Sequence, residues 1–226
     1  KLLNEKGEFL NAKEGETILK LAEAEDFTFS QVDEIGKLTY KDDYTQKHIE
    51  SVLALDLVDV EAIKAANFKV AIDCVNSVGG IAIPALLEAL GVNTVEKLYC
   101  EPNGHFPHNP EPLPEHLTEI SSRMKSGKFD VGFVVDPDVD RLAIISEDGS
   151  MFGEEYTLVA VADYILKHSP GNTVSNMSST RALSDVTQKY NCNYEASAVG
   201  EVNVVAKMKE NKAVVGGEGN GGIIYP

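Results

Sequence analysis

Val131-Gly132-Phe133-Val134-Val135-Asp136-Pro137-Asp138-Val139-Asp140-Arg141 sets a short apolar run directly before three carboxylates at alternate positions. The run reads as a buried strand, and the acids fall in the loop it feeds. Extended backbone repeats every two residues, so Asp136, Asp138 and Asp140 point to one side. Three carboxylates held together repel one another unless a hard cation neutralises them. Oxygen-only ligands suit Mg²⁺ or Ca²⁺ rather than zinc. The bland alternative is a polar turn capping the next element.

Outward from this loop the chain alternates strand-like and helix-like runs. Upstream, residues 69–74 and 94–99 read as strands, 79–90 and 114–125 as helices, and 44–66 as a helical lead-in. Downstream, 142–146 reads as a strand and 155–167 as an amphipathic helix. The break His168-Ser169-Pro170-Gly171-Asn172 then opens a second series. That series runs as strand 173–177, helix 181–190, strand 193–196, helix 201–210, strand 213–215 and the glycine-rich 216–222. Alternation of this kind predicts an α/β fold of two consecutive layer domains, each with a mixed, largely parallel sheet. The predicted divisions are 1–43, the tail of a further domain; 44–168, a metal-binding domain; and 169–226, a sugar-binding domain that stops short.

Composition bounds the function. With 43% hydrophobic and 25% charged residues over 226, the chain is ordinary globular protein and not a disordered or low-complexity segment. Its longest apolar stretches, 131–135 and 158–162, fall far below the roughly 18 residues that span a bilayer. Cys74, Cys100 and Cys192 form no CxxC pair and no even set, which argues against a disulfide framework or thiolate zinc site and for a reducing, cytoplasmic compartment. A net charge of -16 repels a phosphate backbone, so neither nucleic acid nor a membrane surface is an expected partner. The only arginines are Arg123, Arg141 and Arg181. An anionic small molecule therefore needs a bound cation or a local arginine, and Arg141 closes the acidic loop. The start lacks Met and an apolar leader, which reads as a piece of a longer chain. Nothing in the sequence sets the oligomeric state.

Two rival readings compete for the acidic loop. An EF-hand wants acids at loop positions 1, 3, 5 and 12, and Asp136, Asp138, Asp140 and Glu147 comply. Its obligatory glycine is replaced by Arg141, and the flanks read as strands. An aspartyl phosphatase ends a strand in DxDx with Thr or Val next and uses the first Asp as nucleophile; here Asp140 takes the position of that residue. A cation beside Arg141 suits a site that receives a phosphoryl group, because metal and guanidinium together neutralise its oxygens.

The stretch Gly216-Gly217-Glu218-Gly219-Asn220-Gly221-Gly222 contains a literal GxGxxG. A dinucleotide site needs a helix next, but Ile223-Ile224-Tyr225-Pro226 is strand-like and Glu218 repels phosphate. Glycines that let the backbone approach a ligand, with Glu218 and Asn220 projecting, suit sugar hydroxyls. A glycine-rich hairpin turn is the alternative. His108-Asn109-Pro110 lies among four prolines and reads as a rigid structural connection. The sequon Asn176-Met177-Ser178 falls in a predicted strand and is set aside.

At Asp136 to Arg141 the chain resembles the DxDxDR magnesium loop of the α-D-phosphohexomutase superfamily. Residues 102–112 resemble that family's connection before its metal domain's next helix. Val199-Gly200-Glu201 resembles its VG[DE] turn, and 217–222 its sugar-binding GExxG loop. The resemblance covers most of 44–226, the family's second domain and most of its third. It implies a parent enzyme that moves a phosphoryl group between O1 and O6 of glucosamine, mannose or glucose through a phosphoserine and a bisphosphorylated sugar. Asp136, Asp138 and Asp140 would then hold Mg²⁺, Arg141 would act catalytically on the phosphoserine's phosphoryl group, and Glu218 and Asn220 would bind the phosphosugar. The serine loop and the phosphate grip of the outer domains are not among these residues, so the 226 residues alone are expected to be inactive. Asn220 and Gly221 stand where the family commonly has Ser and His. Ser178 and Glu201 replace a Lys and a His of the dual-specificity mutases, which leans toward a phosphoglucosamine mutase-like or archaeal-type member. A DxDx aspartyl phosphatase and a noncatalytic sugar- or calcium-binding module are the competing readings.

Overall fold

The computed structural model describes residues 2–226, which form two compact units divided between Asp43 and Tyr44. The first contains one α-helix, α1 (Ala12–Glu23). Its start is a capping box: Asn11 accepts from the Lys13 and Glu14 amides at 3.0 Å each, and Glu14 accepts from the Asn11 amide at 2.8 Å. No residue of α1 is buried, so the helix packs no face into a core within the described residues. The Asn-x-x-Glu spacing was the available signal.

The second unit opens with two helices, α2 (Tyr44–Leu53) and α3 (Val60–Ala66), where one run had been expected. Asp59 divides them by accepting from the Ala62 amide at 2.9 Å and capping a new start. There follow β1 (Lys69–Asp73), α4 (Gly79–Ala89), β2 (Thr94–Leu98), α5 (Thr118–Met124), β3 (Val131–Val135) and β4 (Leu142–Ser146). The sheet order is β2-β1-β3-β4, parallel except where β3 and β4 run antiparallel from Val135↔Leu142. Alternate residues serve opposite faces. Ala71 and Val134 pack with Ile120 and Met124 of α5, whereas Val70, Ile72 and Val135 pack with Leu87 of α4. Cover on both faces is why the β3 sequence is continuously apolar.

The plan then recurs. α6 (Glu154–His168), β5 (Thr173–Asn176), α7 (Ala182–Lys189), β6 (Tyr194–Ser197), α8 (Glu201–Asn211), β7 (Val215–Gly217) and β8 (Ile223–Ile224) build a sheet of order β6-β5-β7-β8. Only the β7/β8 pair is antiparallel. Two expected boundaries move. α6 also borders β4 of the first sheet, but its buried residues Leu158, Ala162 and Ile165 cluster with Leu183 and Val215, so its apolar face belongs to the core of the second sheet. The Pro-Gly turn after it is an ordinary helix-to-strand connection. The final parallel strand runs to Gly217 rather than ending at Val215. Gly216 pairs with Val174 in the strand, and the position needs glycine because a Cβ there would lie 2.5 Å from Met208 Sδ and 2.8 Å from the Val174 carbonyl oxygen. Among the described residues no helix is long and apolar enough to cross a membrane, and the three cysteines are free.

Candidate active site

In a layered α/β sheet the strand ends that open to ligands are the carboxyl ends. β3 delivers Asp136 there, buried at 6% exposure. Its Oδ1 accepts from the backbone amides of Asp140 at 3.1 Å and Arg141 at 3.2 Å, so the loop curls around its own first acid. Val139 takes a left-handed φ of 61°, costly for a β-branched residue and held by this curl. One oxygen from each of Asp136, Asp138 and Asp140 then lies within 4.8 Å of the others. Oxygens on opposite sides of one ion stand about twice the metal–oxygen distance apart, roughly 4–5 Å for Mg²⁺ or Ca²⁺. The donor set therefore fits a hard cation in number, type and spacing. The electrostatics agree in sign. Burial raises the Asp136 pKa above its ordinary range, and the Asp140 and Asp138 charges add to it, against the opposing bond from the Arg141 amide.

Arg141 does not stand alone. Its Nη1 donates to Glu111 Oε2 at 2.6 Å, and its Nε lies 3.9 Å from Asp140 Oδ1. The bond to Glu111 is the first cause of a raised Arg141 pKa. Sequence reasoning gave Glu111 no role, and its only signal was a lone acid between Pro110 and Pro112. His108, read as structural, docks against β1: its Nε2 is 3.0 Å from Asp73 Oδ2.

At the matching end of the second sheet, β7 delivers Glu218. Its Oε1 accepts from Asn176 Nδ2 at 2.6 Å and from the Gly200 amide at 3.0 Å. Asn176, 2% exposed, in turn accepts at Oδ1 from the Ser178 and Ser179 hydroxyls at 2.9 and 2.8 Å. Its predicted strand is β5, and sequence reasoning missed its role as the support of Glu218. Ser179 Oγ accepts from the Gly219 amide at 3.0 Å. Asn220 Oδ1 accepts from the Gly222 amide at 3.1 Å, so this side chain folds back on its own loop. Glu201 opens α8 directly after Gly200.

The two loops meet. Gly221, at φ +89°, lies so close to the exit of the acidic loop that a Cβ there would be 2.4 Å from the Leu142 carbonyl oxygen. A Cβ on Gly222 would be 3.6 Å from the Asp140 carbonyl oxygen. Glu155 of α6 lies beneath, its carboxylate 2.5 Å from a Cβ on Gly219 and accepting from the Thr180 amide at 2.9 Å. The glycine end of the Glu218 loop thus lies against the backbone where the acidic loop of Asp136, Asp138, Asp140 and Arg141 ends. No helix follows the glycines, so the dinucleotide reading has no N-terminus to use, and strands flank the acidic loop where an EF-hand needs helices.

Residues 43–149 match the family described as "Phosphoglucomutase/phosphomannomutase, alpha/beta/alpha domain II", and residues 153–226 match its domain III. The chain belongs to the phosphoglucomutase/phosphomannomutase family. The interval between the two family domains falls just ahead of α6, in keeping with the packing of that helix. A phosphoglucomutase/phosphomannomutase of Thermococcus kodakarensis is 34% identical over all of this chain and 49% of its own length. A probable phosphoglucosamine mutase of Methanopyrus kandleri is 28% identical over 89% of this chain and 44% of its own. A solved phosphoglucomutase/phosphomannomutase family structure from Burkholderia thailandensis superposes with a TM-score of 0.80 at 25% identity, over 96% of this chain and 45% of that one. The chain spans about half the length of the curated relatives it matches. The phosphatase and calcium-module readings gain no support from these relatives.

Proposed function

We propose that these residues are the metal- and sugar-binding part of a phosphohexomutase that interconverts hexose 1-phosphate and 6-phosphate. The observation that carries this reading is the backbone contact between the acidic loop and the Glu218 loop at Gly221 and Leu142. Transfer between two oxygens of one sugar needs a cation site beside a hydroxyl-binding carboxylate, and this contact supports that arrangement. Asp136, Asp138 and Asp140 hold Mg²⁺, whose chemistry is to neutralise charge on the phosphoryl oxygens. Arg141 directs its remaining guanidinium donors at the same group. Glu218, with Oε1 held by Asn176 and Gly200, presents its other oxygen to vicinal hydroxyls. The relatives' names support glucosamine, mannose or glucose phosphates as the substrate class. The acidic charge of -16 supports a small phosphosugar partner over nucleic acid or membrane, and the three free cysteines suit the cytoplasm.

The test is a coupled assay of the complete protein on glucosamine, mannose and glucose 1-phosphates. Glu218→Ala should lower kcat/KM at least about tenfold, the equivalent of about 1.4 kcal/mol and less than one lost charge-assisted hydrogen bond, while leaving Mg²⁺ affinity unchanged. Wild-type kinetics in Glu218→Ala on all three sugars would return 216–222 to a structural turn. Turnover of a simple phosphate ester that vanishes in Asp136→Asn would favour a phosphatase instead.

A further inference from the structure

The segment from Pro102 to Pro112 is bound to the sheet at several points. Asn76, in the connection from β1 to α4, donates through Nδ2 to the His105 carbonyl at 3.0 Å, and its own carbonyl accepts from the Gly104 amide at 3.0 Å. His108 is held from both ring nitrogens. Nδ1 faces the Asn109 carbonyl at 2.8 Å, and Nε2 faces Asp73 Oδ2 at 3.0 Å. A carbonyl only accepts, so Nδ1 carries a proton, and Nε2 and Asp73 share one more between them. The pair is shielded, with side-chain exposures of 17% for His108 and 2% for Asp73. Asn109 Oδ1 accepts from the Glu111 amide at 3.0 Å, and prolines fix φ on either side of Glu111. The backbone that carries Glu111 is therefore rigid, while its carboxylate, 53% exposed, reaches Arg141 at 2.6 Å.

Most exposed ion pairs contribute little because two flexible side chains must be ordered to form them. Here the backbone that carries the carboxylate is ordered by the Asn109 and His108–Asp73 contacts, and the backbone of Arg141 is tied through its amide to Asp136. We infer that Glu111 is a positioning residue for Arg141, holding the guanidinium by Nη1 over the carboxylate cluster, and that the His108–Asp73 pair holds the loop that supplies it. With Nη1 engaged by Glu111, the fork keeps donors for an incoming phosphoryl group, which meets a guanidinium already oriented. This inference rests on the proposed mutase reading for its catalytic consequence and on geometry alone for its structural part.

Two measurements separate those parts. The chain has three arginines, so ¹⁵N-arginine labelling yields three guanidinium spin systems, with Arg141 assigned by Arg141→Lys. In the wild type the Arg141 Nη signals should be resolved by hindered rotation; in Glu111→Gln they should merge, in Glu111→Asp stay partly resolved, and in His108→Gln broaden. Circular dichroism checks that each variant is folded, and Arg123 and Arg181 are internal references. In the complete protein, Glu111→Gln should lower kcat about tenfold on hexose 1-phosphate with KM little changed, because Arg141 acts on the transferred group, and Glu111→Asp should recover part of the loss. An Arg141 spectrum unaltered by Glu111→Gln overturns the positioning role. An altered spectrum with no mutase activity in the wild type retains it and sinks the mutase reading. An altered spectrum with unchanged kcat in an active enzyme overturns the catalytic consequence.

Discussion

Removing one acid from the Asp136–Asp138–Asp140 cluster should have opposite effects with and without a cation. Two unit charges 4.8 Å apart repel by about 0.9 kcal/mol in water and about 3.5 kcal/mol at an effective dielectric of 20. Asp138 and Asp140 are exposed while Asp136 is buried, so the water-like end applies to most of the cluster. Asp138→Asn removes two such repulsions and keeps an acceptor oxygen. After screening and the offsetting Arg141 charge, a net gain of about 1 kcal/mol is expected for the metal-free chain, a rise of about 2–4 °C in melting temperature. With Mg²⁺ at 100 times the wild-type Kd, the wild type should gain about 2.7 kcal/mol by mass action. Asp138→Asn, with affinity lowered about a hundredfold, should gain about 0.4 kcal/mol. Thermal unfolding in EDTA and in a Mg²⁺ series reads both terms, with calorimetric titration as an independent measure of Kd. Equal Mg²⁺ stabilisation of the two proteins would refute the three-carboxylate site. A variant less stable than wild type in EDTA would refute the repulsion argument.

Burial raises the Asp73 pKa above its ordinary 3.8, outweighing the Val75 amide and His108, which lower it. The folded state then binds more protons than the unfolded one between 3.8 and that raised value, so the contribution of Asp73 to stability is present below 3.8 and declines as pH rises through this window. Urea midpoints of wild type and Asp73→Asn at a series of pH values from 4 to 7 should therefore diverge in favour of the variant as pH rises; divergence the other way would show the His108 contact to dominate. Gly221→Ala places a Cβ against the Leu142 carbonyl at positive φ, and chemical denaturation should register a loss of about 1–3 kcal/mol. Asn176→Ala removes the donor to Glu218 and the shared acceptor of Ser178 and Ser179, and should cost about 2–4 kcal/mol by the same assay.

What the sequence disclosed was what is local. The acidic loop could be read because its three carboxylates lie within five residues and alternate on extended backbone, and β3 because a strand covered on both faces has no polar positions to dilute its signal. The division expected after His168 rests on a less local signal. Amphipathicity shows that α6 has an apolar face but not which sheet that face meets, and the answer lies in Leu183 and Val215, in later elements. Likewise Asp59 ends one helix and starts another by a side-chain cap within an otherwise helical run. Glu111 and Asn176 were invisible for a related reason. Each acts through a partner at least 30 residues away, Glu111 on Arg141 and Asn176 on Glu218, so neither forms a motif with its neighbours.

The repeated sheet plan explains why two loops of such different composition meet. In each sheet the third strand in the chain is parallel to its neighbour on one side and antiparallel on the other, and the hairpin that leaves it begins with an acid: Asp136 after Val135, Glu218 after Gly217. Antiparallel pairing returns the chain at once, so the hairpin tip stays at the carboxyl end of the sheet, where a ligand can reach it. One tip buries its first acid against its own amides and adds two more carboxylates, which concentrates charge. The other spends its remaining positions on glycines and the self-bonded Asn220, which concentrates backbone approach around a single carboxylate. Charge without close approach suits a cation; close approach with one charge suits hydroxyls. Only a residue without a Cβ lets the second tip rest on the Leu142 carbonyl, so the spacing between the two hairpin tips is set at Gly221. Any side chain there would separate the two loops before it changed either one.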